Sequence, residues 1–116
     1  MESWLRDNPT LAGCTALLCQ NDHAAIGAIE VLQGAGLRVP DDVSVVGFDG
    51  TEFSRLVTPK LTTVEIPLQA MGKRGMELLL QLIASQDKGA DIAEPVERFP
   101  VRVRVRASTG PVKRIS

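Results

Sequence analysis

Two short apolar runs flank an amphipathic stretch in the first half of the chain. Residues 15–19 and 43–48 are predominantly apolar, which is typical of parallel strands that are covered on both faces. Between them, apolar side chains recur every three to four positions over residues 24–32, which predicts a helix that Gly36 ends. A strand–helix–strand series of about 35 residues predicts a βαβ unit with parallel strands. The pattern therefore predicts an α/β fold with a helix layered on a parallel sheet.

The second half of the chain predicts a further strand and a second helix. Residues 51–61 look irregular, with one helical turn near their start, and residues 62–66 predict a short strand. Pro67 suits the first position of a helix that continues to about residue 85. The apolar positions of this helix recur at helical spacing: Leu68, Met71, Met76, Leu78, Leu79, Leu82 and Ile83.

The two ends of the chain and the segment after the second helix have weaker patterns. Residues 1–13 predict a helical turn and a loop, and residues 87–91 predict a polar turn. Residues 96–107 predict an extended segment that Pro100 interrupts. Its alternation places one set of side chains inward, Val101, Val103 and Val105, and the other outward, Arg102, Arg104 and Arg106.

The basic residues at the C-terminal end allow two interpretations. From Arg98 onward there are six basic residues and no acidic one, although the whole chain has a net charge of −1. Such a tail could contact nucleic acid. It could also be the solvent face of a strand, and the strict alternation of valine and arginine favours this second interpretation.

Composition excludes several classes of function. The chain is 44% hydrophobic and 23% charged, as in a soluble globular protein, and no apolar run reaches the length of about 18 residues that a membrane helix needs. Cys14 and Cys19 are expected to be small buried residues in a reducing cytoplasm, on opposite faces of one strand, where they cannot form a disulfide. There is no nucleophile motif, phosphate loop or metal-ligand cluster, so the sequence predicts neither an enzyme nor a cofactor or metal.

Polar side chains follow both strands of the predicted βαβ unit. Asn21 and Asp22 come after the first strand, and Asp49 and Gly50 end the second. In a parallel sheet the carboxyl ends of the strands share one edge, which is where such folds bind ligands. Asn21 offers hydrogen-bond donors and an acceptor and Asp49 offers acceptors, a combination suited to sugar hydroxyls or the N–H groups of a base. A helix cap by Asn21 and a turn at Asp49 explain the same residues, and the pattern alone favours that explanation.

The only histidine adds little to this picture. His23 falls in the first turn of the predicted helix, where a solvated side chain is expected. A pH-sensing role or a position at the edge of a ligand is the alternative.

An ordered series of motifs resembles the LacI/GalR family of bacterial transcriptional regulators. The series consists of Leu-Cys-Gln-Asn-Asp at residues 18–22, Ala-Ile-Gly-Ala at 25–28, and Gly-Leu-Arg-Val-Pro-Asp-Asp-Val-Ser-Val-Val-Gly-Phe-Asp at 36–49. It continues with Thr58-Pro59, with Leu-Thr-Thr-Val at 61–64, with Met71-Gly72, and with Arg-Ala-Ser-Thr at 106–109. The resemblance extends over nearly all of residues 15–109.

The resemblance implies a sensor in a cytoplasmic repressor. It implies part of a two-lobed domain of the type I periplasmic-binding-protein-like fold, a partial three-layer sandwich, acting as a homodimer. A sugar-like effector would bias the arrangement of the lobes and so alter affinity for operator DNA, which a helix-turn-helix module outside this chain would contact. A periplasmic-type sugar-binding protein is the alternative.

The resemblance also implies roles for particular residues. Asn21 and Asp49 match positions that contact effector in the family, and Phe48 is expected at the wall of the pocket. A second set is expected at a dimer face, with ordinary core packing as the alternative: Ile26, Ile29, Glu30 and Phe53. Two residues depart from the family pattern. Ile66 stands where a ligand-contacting glutamine is frequent, and Gly50 replaces a common second acid.

The resemblance further implies that the chain is an incomplete effector-binding domain. Residues 14–63 correspond to the βαβ core of one lobe, residues 64–93 to a crossover and helix of the other lobe, and residues 94–109 to a returning strand, with 110–116 as a tail. The helix at 67–85 would then lack its usual neighbours and expose its apolar face. We therefore expect the chain to self-associate or to exchange elements between copies.

Overall fold

A computed structural model of the chain describes residues 13–86 and 96–113. The turns predicted within residues 1–12 and 87–91, and the last three residues, lie outside this described part. Seven elements follow in chain order: β1 (Ala16–Leu18), α1 (Asp22–Gly34), β2 (Ser44–Asp49), a 3-10 turn (Glu52–Arg55), β3 (Thr62–Glu65), α2 (Leu68–Gln86) and β4 (Arg102–Arg104).

The strands form one mixed sheet in the order β1-β2-β3-β4. β1 lies parallel to β2, with Ala16 opposite Ser44, and β2 lies parallel to β3, with Val46 opposite Thr62. β4 is antiparallel to β3. The predicted α/β class and the parallel βαβ unit are confirmed.

The core lies between α1 and one face of this sheet. Ala25, Ile29 and Leu32 share one helix face because they are four and three residues apart, and all three are fully buried. They pack with Val43, Val45 and Leu61. The apolar face of α1 packs against the apolar side chains on one face of the sheet, and this packing holds the helix on the sheet.

The C-terminal end of α1 is closed by the glycine that the sequence singles out. Gly36 has a φ of +80°, in the left-handed region. Its N–H donates to the carbonyl of Gln33, and the N–H of Leu37 donates to the carbonyl of Leu32, each at 3.0 Å. These two bonds form a Schellman motif, which confirms that the helix ends at this glycine.

The second face of the sheet is less covered than predicted. Leu18 of β1 is 77% exposed, and Val101, Val103 and Val105 are all more than half exposed. The prediction that β1 is covered on both faces, and the prediction that the three valines face inward, are therefore wrong for this structure. The reason is that, within the unit that contains the sheet, α1 covers one face only.

The two cysteines are also more accessible than predicted. Cys14 is exposed and Cys19 is half-buried, and both are free thiols. Cys14 precedes β1, at the open margin of the sheet, so the expectation that it is buried is wrong. Partial burial raises the pKa of the Cys19 thiol, because desolvation disfavours the thiolate.

A buried serine joins β2 to β3 where the two strands diverge. The Ser108 hydroxyl donates to the carbonyl of Val45 at 2.6 Å and accepts from the N–H of Thr62 at 2.8 Å. The Ser108 carbonyl accepts from the N–H of Val45, and its own N–H donates to the carbonyl of Lys60. Ser108 therefore supplies the strand hydrogen bonds that β2 and β3 do not make with each other here.

The described residues divide into two compact units. One unit holds residues 13–65 and 102–113, and the other holds residues 66–86 and 96–101. The second unit contains α2, of whose residues none is buried, and an ion pair of 2.6 Å between Arg74 and Glu97. Neither helix of the described part is both long enough and apolar enough to cross a bilayer.

Candidate ligand-binding site

The carboxyl ends of β1 and β2 lie side by side. Since β1 and β2 are parallel and in register, Asn21, three residues beyond β1, and Asp49, the last residue of β2, belong to the same edge of the sheet. β3 ends at the same edge, and Glu65 is the register partner of Asp49. The topology on which the predicted site depends is therefore present.

Asn21 is the N-cap of α1. Its backbone is extended, with φ −154° and ψ 175°, and its Oδ1 accepts a hydrogen bond of 2.8 Å from the N–H of Ala24. The capping explanation of this residue is thus correct. The cap uses only the oxygen of the side chain. The Nδ2 donors make no hydrogen bond within the described part of the chain, so they remain available to a ligand at the sheet edge.

Asp49 has an unusual backbone at the same edge. Its φ is +104°, and among the described residues it is the only one other than glycine with a positive φ. Such a conformation costs a non-glycine residue about 1–3 kcal/mol. The carboxylate is partly exposed and accepts no hydrogen bond from the residues that the structure describes. Strained backbone conformations are common at functional positions. Asp49 has such a conformation and also an unpaired acceptor at the edge of the sheet.

Gly50 follows in the same left-handed region, with a φ of +73°. A Cβ at this position would come within 2.8 Å of the Cα and Cγ of Glu65. The turn after β2 thus needs a glycine both for its conformation and for space. The geometry thus fits a glycine at the position where the family often has a second acid.

Phe48 lies near the end of β2, and Ile66 follows β3 as the first residue of the second unit. Phe48 precedes Asp49 and is 37% exposed. Because side chains alternate along a strand, Phe48 lies on the face of β2 opposite to that of Asp49. Ile66 is half-buried just beyond β3. Phe48 can offer an apolar surface beside the edge, whereas Ile66 brings no side-chain donor or acceptor.

A buried carboxylate holds this edge together, and sequence reasoning gave it no such role. Asp22 is fully buried. Its Oδ2 accepts from the N–H and the Oγ1 of Thr51, at 2.6 and 2.9 Å, and its Oδ1 accepts from the Oγ1 of Thr63 at 2.5 Å. These three bonds connect the start of α1 to the turn after β2 and to β3.

Gly47 provides the space for this carboxylate. A Cβ on Gly47 would overlap Asp22 Oδ1 and would lie 2.8 Å from Leu61 Cδ2. The sequence did contain a signal for the network: an acid in the first helical turn, a glycine inside the neighbouring strand, and threonines after β2 and within β3. None of these residues is diagnostic alone, because each also has an ordinary local explanation.

The residues predicted at a dimer face do not share one environment. Ile29 is 1% exposed and belongs to the core. Ile26 is half-buried, and Glu30 is exposed. Phe53, on the 3-10 turn, is 47% exposed, and its ring centroid lies 5.4 Å from that of His23. His23 is exposed as expected, and it contacts an aromatic ring as well as solvent.

The described residues contain no group of three or more His, Cys, Asp or Glu side chains that could hold a metal ion. The amide of Asn21 and the carboxylate of Asp49 at this sheet edge are hydrogen-bonding groups of the kind that bind polar small molecules.

Comparison with known proteins identifies the family. A model of the periplasmic binding protein-like domain matches residues 1–109. A curated relative, the "Probable HTH-type transcriptional repressor ExuR" of Bacillus subtilis, is 43% identical over 95 residues, covering 82% of this chain and 28% of that protein. The chain belongs to the LacI/GalR family. Other curated relatives are also named as transcriptional repressors, and the periplasmic-type sugar-binding alternative is not favoured.

Solved structures of LacI/GalR regulators have the same fold. A LacI-type transcription regulator from Bifidobacterium animalis subsp. lactis is 32% identical, with a TM-score of 0.77, over 94% of this chain and 37% of that one. A LacI family regulator from Arthrobacter sp. FB24, in complex with lactose, is 30% identical, with a TM-score of 0.70, over 94% and 38%. The fold is therefore that of the periplasmic-binding-protein-like effector domains. The chain spans between 21% and 29% of the length of curated relatives that it matches.

Proposed function

We propose that this chain is the effector-binding and dimerising part of a cytoplasmic transcriptional repressor, and that Asn21 and Asp49 bind the effector. The observation that carries the proposal is the pair of unused groups at one sheet edge: the Nδ2 donors of Asn21 and the strained, partly exposed carboxylate of Asp49. Binding would be read out by operator DNA through a helix-turn-helix module outside residues 1–116. The chain itself catalyses no reaction.

The proposed effector is a sugar or a nucleoside-like molecule. A carboxylate accepts hydrogen bonds from adjacent hydroxyls or from the N–H groups of a base, and an amide donates to hydroxyl or ring acceptors. Phe48 would supply an apolar surface for the less polar face of either ligand. The Arthrobacter regulator, which is 30% identical to this chain, was solved in complex with lactose, and this supports the proposal that the effector is a sugar.

We also propose that residues 14–63 belong to one lobe of the complete domain and residues 64–93 to the other lobe, and that residues 94–109 form a returning strand. Family members supply the support for this assignment. In the complete domain, a ligand that prefers one arrangement of the lobes would shift the population toward that arrangement.

Nuclear magnetic resonance titration of the chain with lactose, glucose, adenosine and guanine tests the binding proposal. We expect one of these ligands to shift the amide signals of residues 21–22 and 48–51. Asn21→Asp keeps an oxygen for the helix cap but removes the donors, and Asp49→Asn keeps a residue that tolerates positive φ but removes the charge. Each variant should weaken binding about tenfold, the cost expected for losing a hydrogen bond to a charged or buried group.

Asp41→Asn is the matched control, because it makes the same substitution in the turn before β2, at the opposite end of that strand from Asp49. It should leave affinity unchanged. Equal binding by all three variants, or shifts confined to residues far from the sheet edge, would show that Asn21 and Asp49 are not the ligand site.

A further inference from the structure

An arginine-lined pocket lies on the unit that contains the sheet. Its volume is about 430 Å³, within the range of small-molecule sites. Five residues line it: Arg55, Glu65, Arg104, Val105 and Arg106. Arg55 comes from the 3-10 turn, Glu65 from the end of β3, and the others from β4 and the residues that follow it. Two of these three segments, the 3-10 turn and β4 with the residues after it, therefore place guanidinium groups around one concave space.

The positive charge of this pocket exceeds its negative charge. Arg104 Nε donates to Glu65 Oε2 at 2.6 Å, and this contact holds the pKa of Glu65 below its ordinary value. The pair is thus neutral as a whole. Among the described residues, Glu65 is the only acid that lines the pocket, so one carboxylate faces three guanidinium groups and two positive charges remain in excess.

The two remaining arginines differ in how firmly they are held. Arg106 Nη1 donates to the Ser54 hydroxyl at 2.8 Å and to the carbonyl of Leu61 at 2.9 Å, both of which are neutral oxygens. These bonds fix the guanidinium group without neutralising it. Arg55 is exposed and makes no hydrogen bond or ion pair with the described residues. One cation is therefore positioned in advance, and the second is free to close on a ligand.

We propose that this pocket binds a small dianion, through Arg106 and Arg55 with Arg104 as a third donor. Guanidinium groups bind phosphate and carboxylate oxygens through paired hydrogen bonds, and two unbalanced positive charges match a ligand with two negative charges. A phosphoryl group and a dicarboxylate share this chemistry. The proposal does not depend on whether Asn21 and Asp49 bind an effector.

Titration of the full chain with inorganic phosphate, malonate and acetate tests the proposal, in weakly alkaline buffer of low ionic strength. The readout is the Nε–Hε signals of the arginine side chains in ¹⁵N-labelled protein. We expect phosphate or malonate to shift the signals of Arg55, Arg104 and Arg106, and the stronger of the two identifies the class of ligand. Acetate, with one charge, should bind at least tenfold more weakly. Raising the salt from about 0.01 M to about 0.15 M should weaken binding, because the Debye length falls from about 30 to about 8 Å.

Two substitutions should change the dianion affinity in opposite directions. Arg55→Gln removes an exposed group with no structural bond and should raise the Kd about tenfold. Glu65→Gln removes the competing carboxylate, frees Arg104 and should lower the Kd. Arg98→Gln removes the same charge from an exposed residue that does not line the pocket, and it should change the Kd less than twofold.

Three results would overturn the proposal. Equal effects of Arg55→Gln and Arg98→Gln would show that only net charge matters. If acetate bound as tightly as the dianions, the pocket would not select a ligand with two negative charges. A short DNA duplex that displaces phosphate and binds far more tightly, with the same sensitivity to Arg55→Gln, would make the pocket part of a nucleic-acid contact instead.

Discussion

Asp49 combines a positive backbone φ with a partly exposed carboxylate that accepts no hydrogen bond from the described residues. An aspartate that serves only to make a turn would normally accept a local backbone hydrogen bond. Asp49 accepts none from the described residues, so its strain is not offset by a bond within the fold. Backbone strain without a compensating hydrogen bond favours the ligand-binding interpretation over the turn interpretation. The free-energy cost of this strain can be measured.

Asp49→Gly should therefore stabilise the chain while abolishing effector binding. Glycine adopts a φ of +104° without steric cost, so the free energy of unfolding should rise by about 1 kcal/mol. Urea denaturation measures the change. Asp49→Asn is the control for conformation, since asparagine also tolerates the left-handed region, and its stability should stay close to that of the parent chain. A loss of stability in Asp49→Gly would show that the carboxylate has a structural partner.

Asp22 has the opposite role, because its carboxylate is buried and fully used. Asp22→Ala would leave the N–H of Thr51 and two threonine hydroxyls without their acceptor, which should lower the free energy of unfolding by about 3 kcal/mol. Gly47→Ala should also destabilise the chain, because its Cβ would overlap Asp22. In the double variant Asp22→Ala/Gly47→Ala that overlap is gone. The double variant should therefore lose less stability than the sum of the losses in the two single variants. Strict additivity would argue against the close approach of Asp22 to Gly47.

At the scale of elements, the sequence predicted β1, α1, β2, β3 and α2 to within a few residues. The cause is that each has a local signal: an apolar run, a helical spacing, or a glycine or proline at its end. The polar strand ends were also predicted, since they follow directly from where the strands stop. The coverage of the strands was not predicted, because the exposure of Leu18 and Val103 depends on which elements lie over the sheet.

The role of Ser108 likewise lay beyond prediction. Its hydroxyl replaces hydrogen bonds between two strands that are more than 40 residues away along the chain, and no local pattern marks such a contact. The Asp22 network is similar, because it joins side chains from three elements. Long-range polar contacts of this kind need the register of the strands, which the sequence does not state.

Ser108→Ala should weaken the junction of β2 and β3. The N–H of Thr62 and the carbonyl of Val45 would lose a buried partner, which should lower the free energy of unfolding by about 1–3 kcal/mol. Amide exchange at Thr62 should accelerate as well. Ser85→Ala is the matched control, because that hydroxyl donates to the carbonyl of Gln81 on the exposed helix α2. Similar losses in both variants would mean that the buried position of Ser108 has no special importance.

The turn before β2 should make the free energy of unfolding depend on pH in the acid range. Asp42 accepts from the backbone N–H and guanidinium of Arg38 and from Lys113 Nζ, and these bonds hold the pKa of its carboxyl well below the ordinary value. A depressed pKa means that Asp42 stabilises the fold above its unfolded pKa of about 4, and that this contribution is lost as pH falls toward the folded value. Asp42→Asn should thus unfold with a shallower dependence on pH below 4. An unchanged slope in Asp42→Asn would show that these bonds do not make the Asp42 carboxylate a source of the acid dependence.

For the whole molecule, two apolar surfaces compete as the basis for self-association. One is the face of α1 and the 3-10 turn, marked by the half-buried Ile26 and by Phe53, which is 47% exposed. The other is α2, on which Leu68, Met76 and Ile83 are all more than half exposed. The first is the dimer face proposed from the family, and the second is the helix whose apolar face the resemblance predicts to be uncovered. They make different predictions for the same measurement.

Analytical ultracentrifugation of the chain at micromolar concentration separates the two surfaces. If copies associate through the α1 face, Phe53→Asp should convert dimer to monomer, because a charge buried in an apolar contact costs several kcal/mol. Met76→Asp would then have little effect. The reverse result would assign association to α2 and would contradict the proposed dimer face. Ile29 cannot serve in this test, since it is 1% exposed and a change there would report on folding. A chain that stays monomeric throughout the concentration range would exclude both surfaces as dimer contacts of residues 1–116 and would contradict the expected self-association.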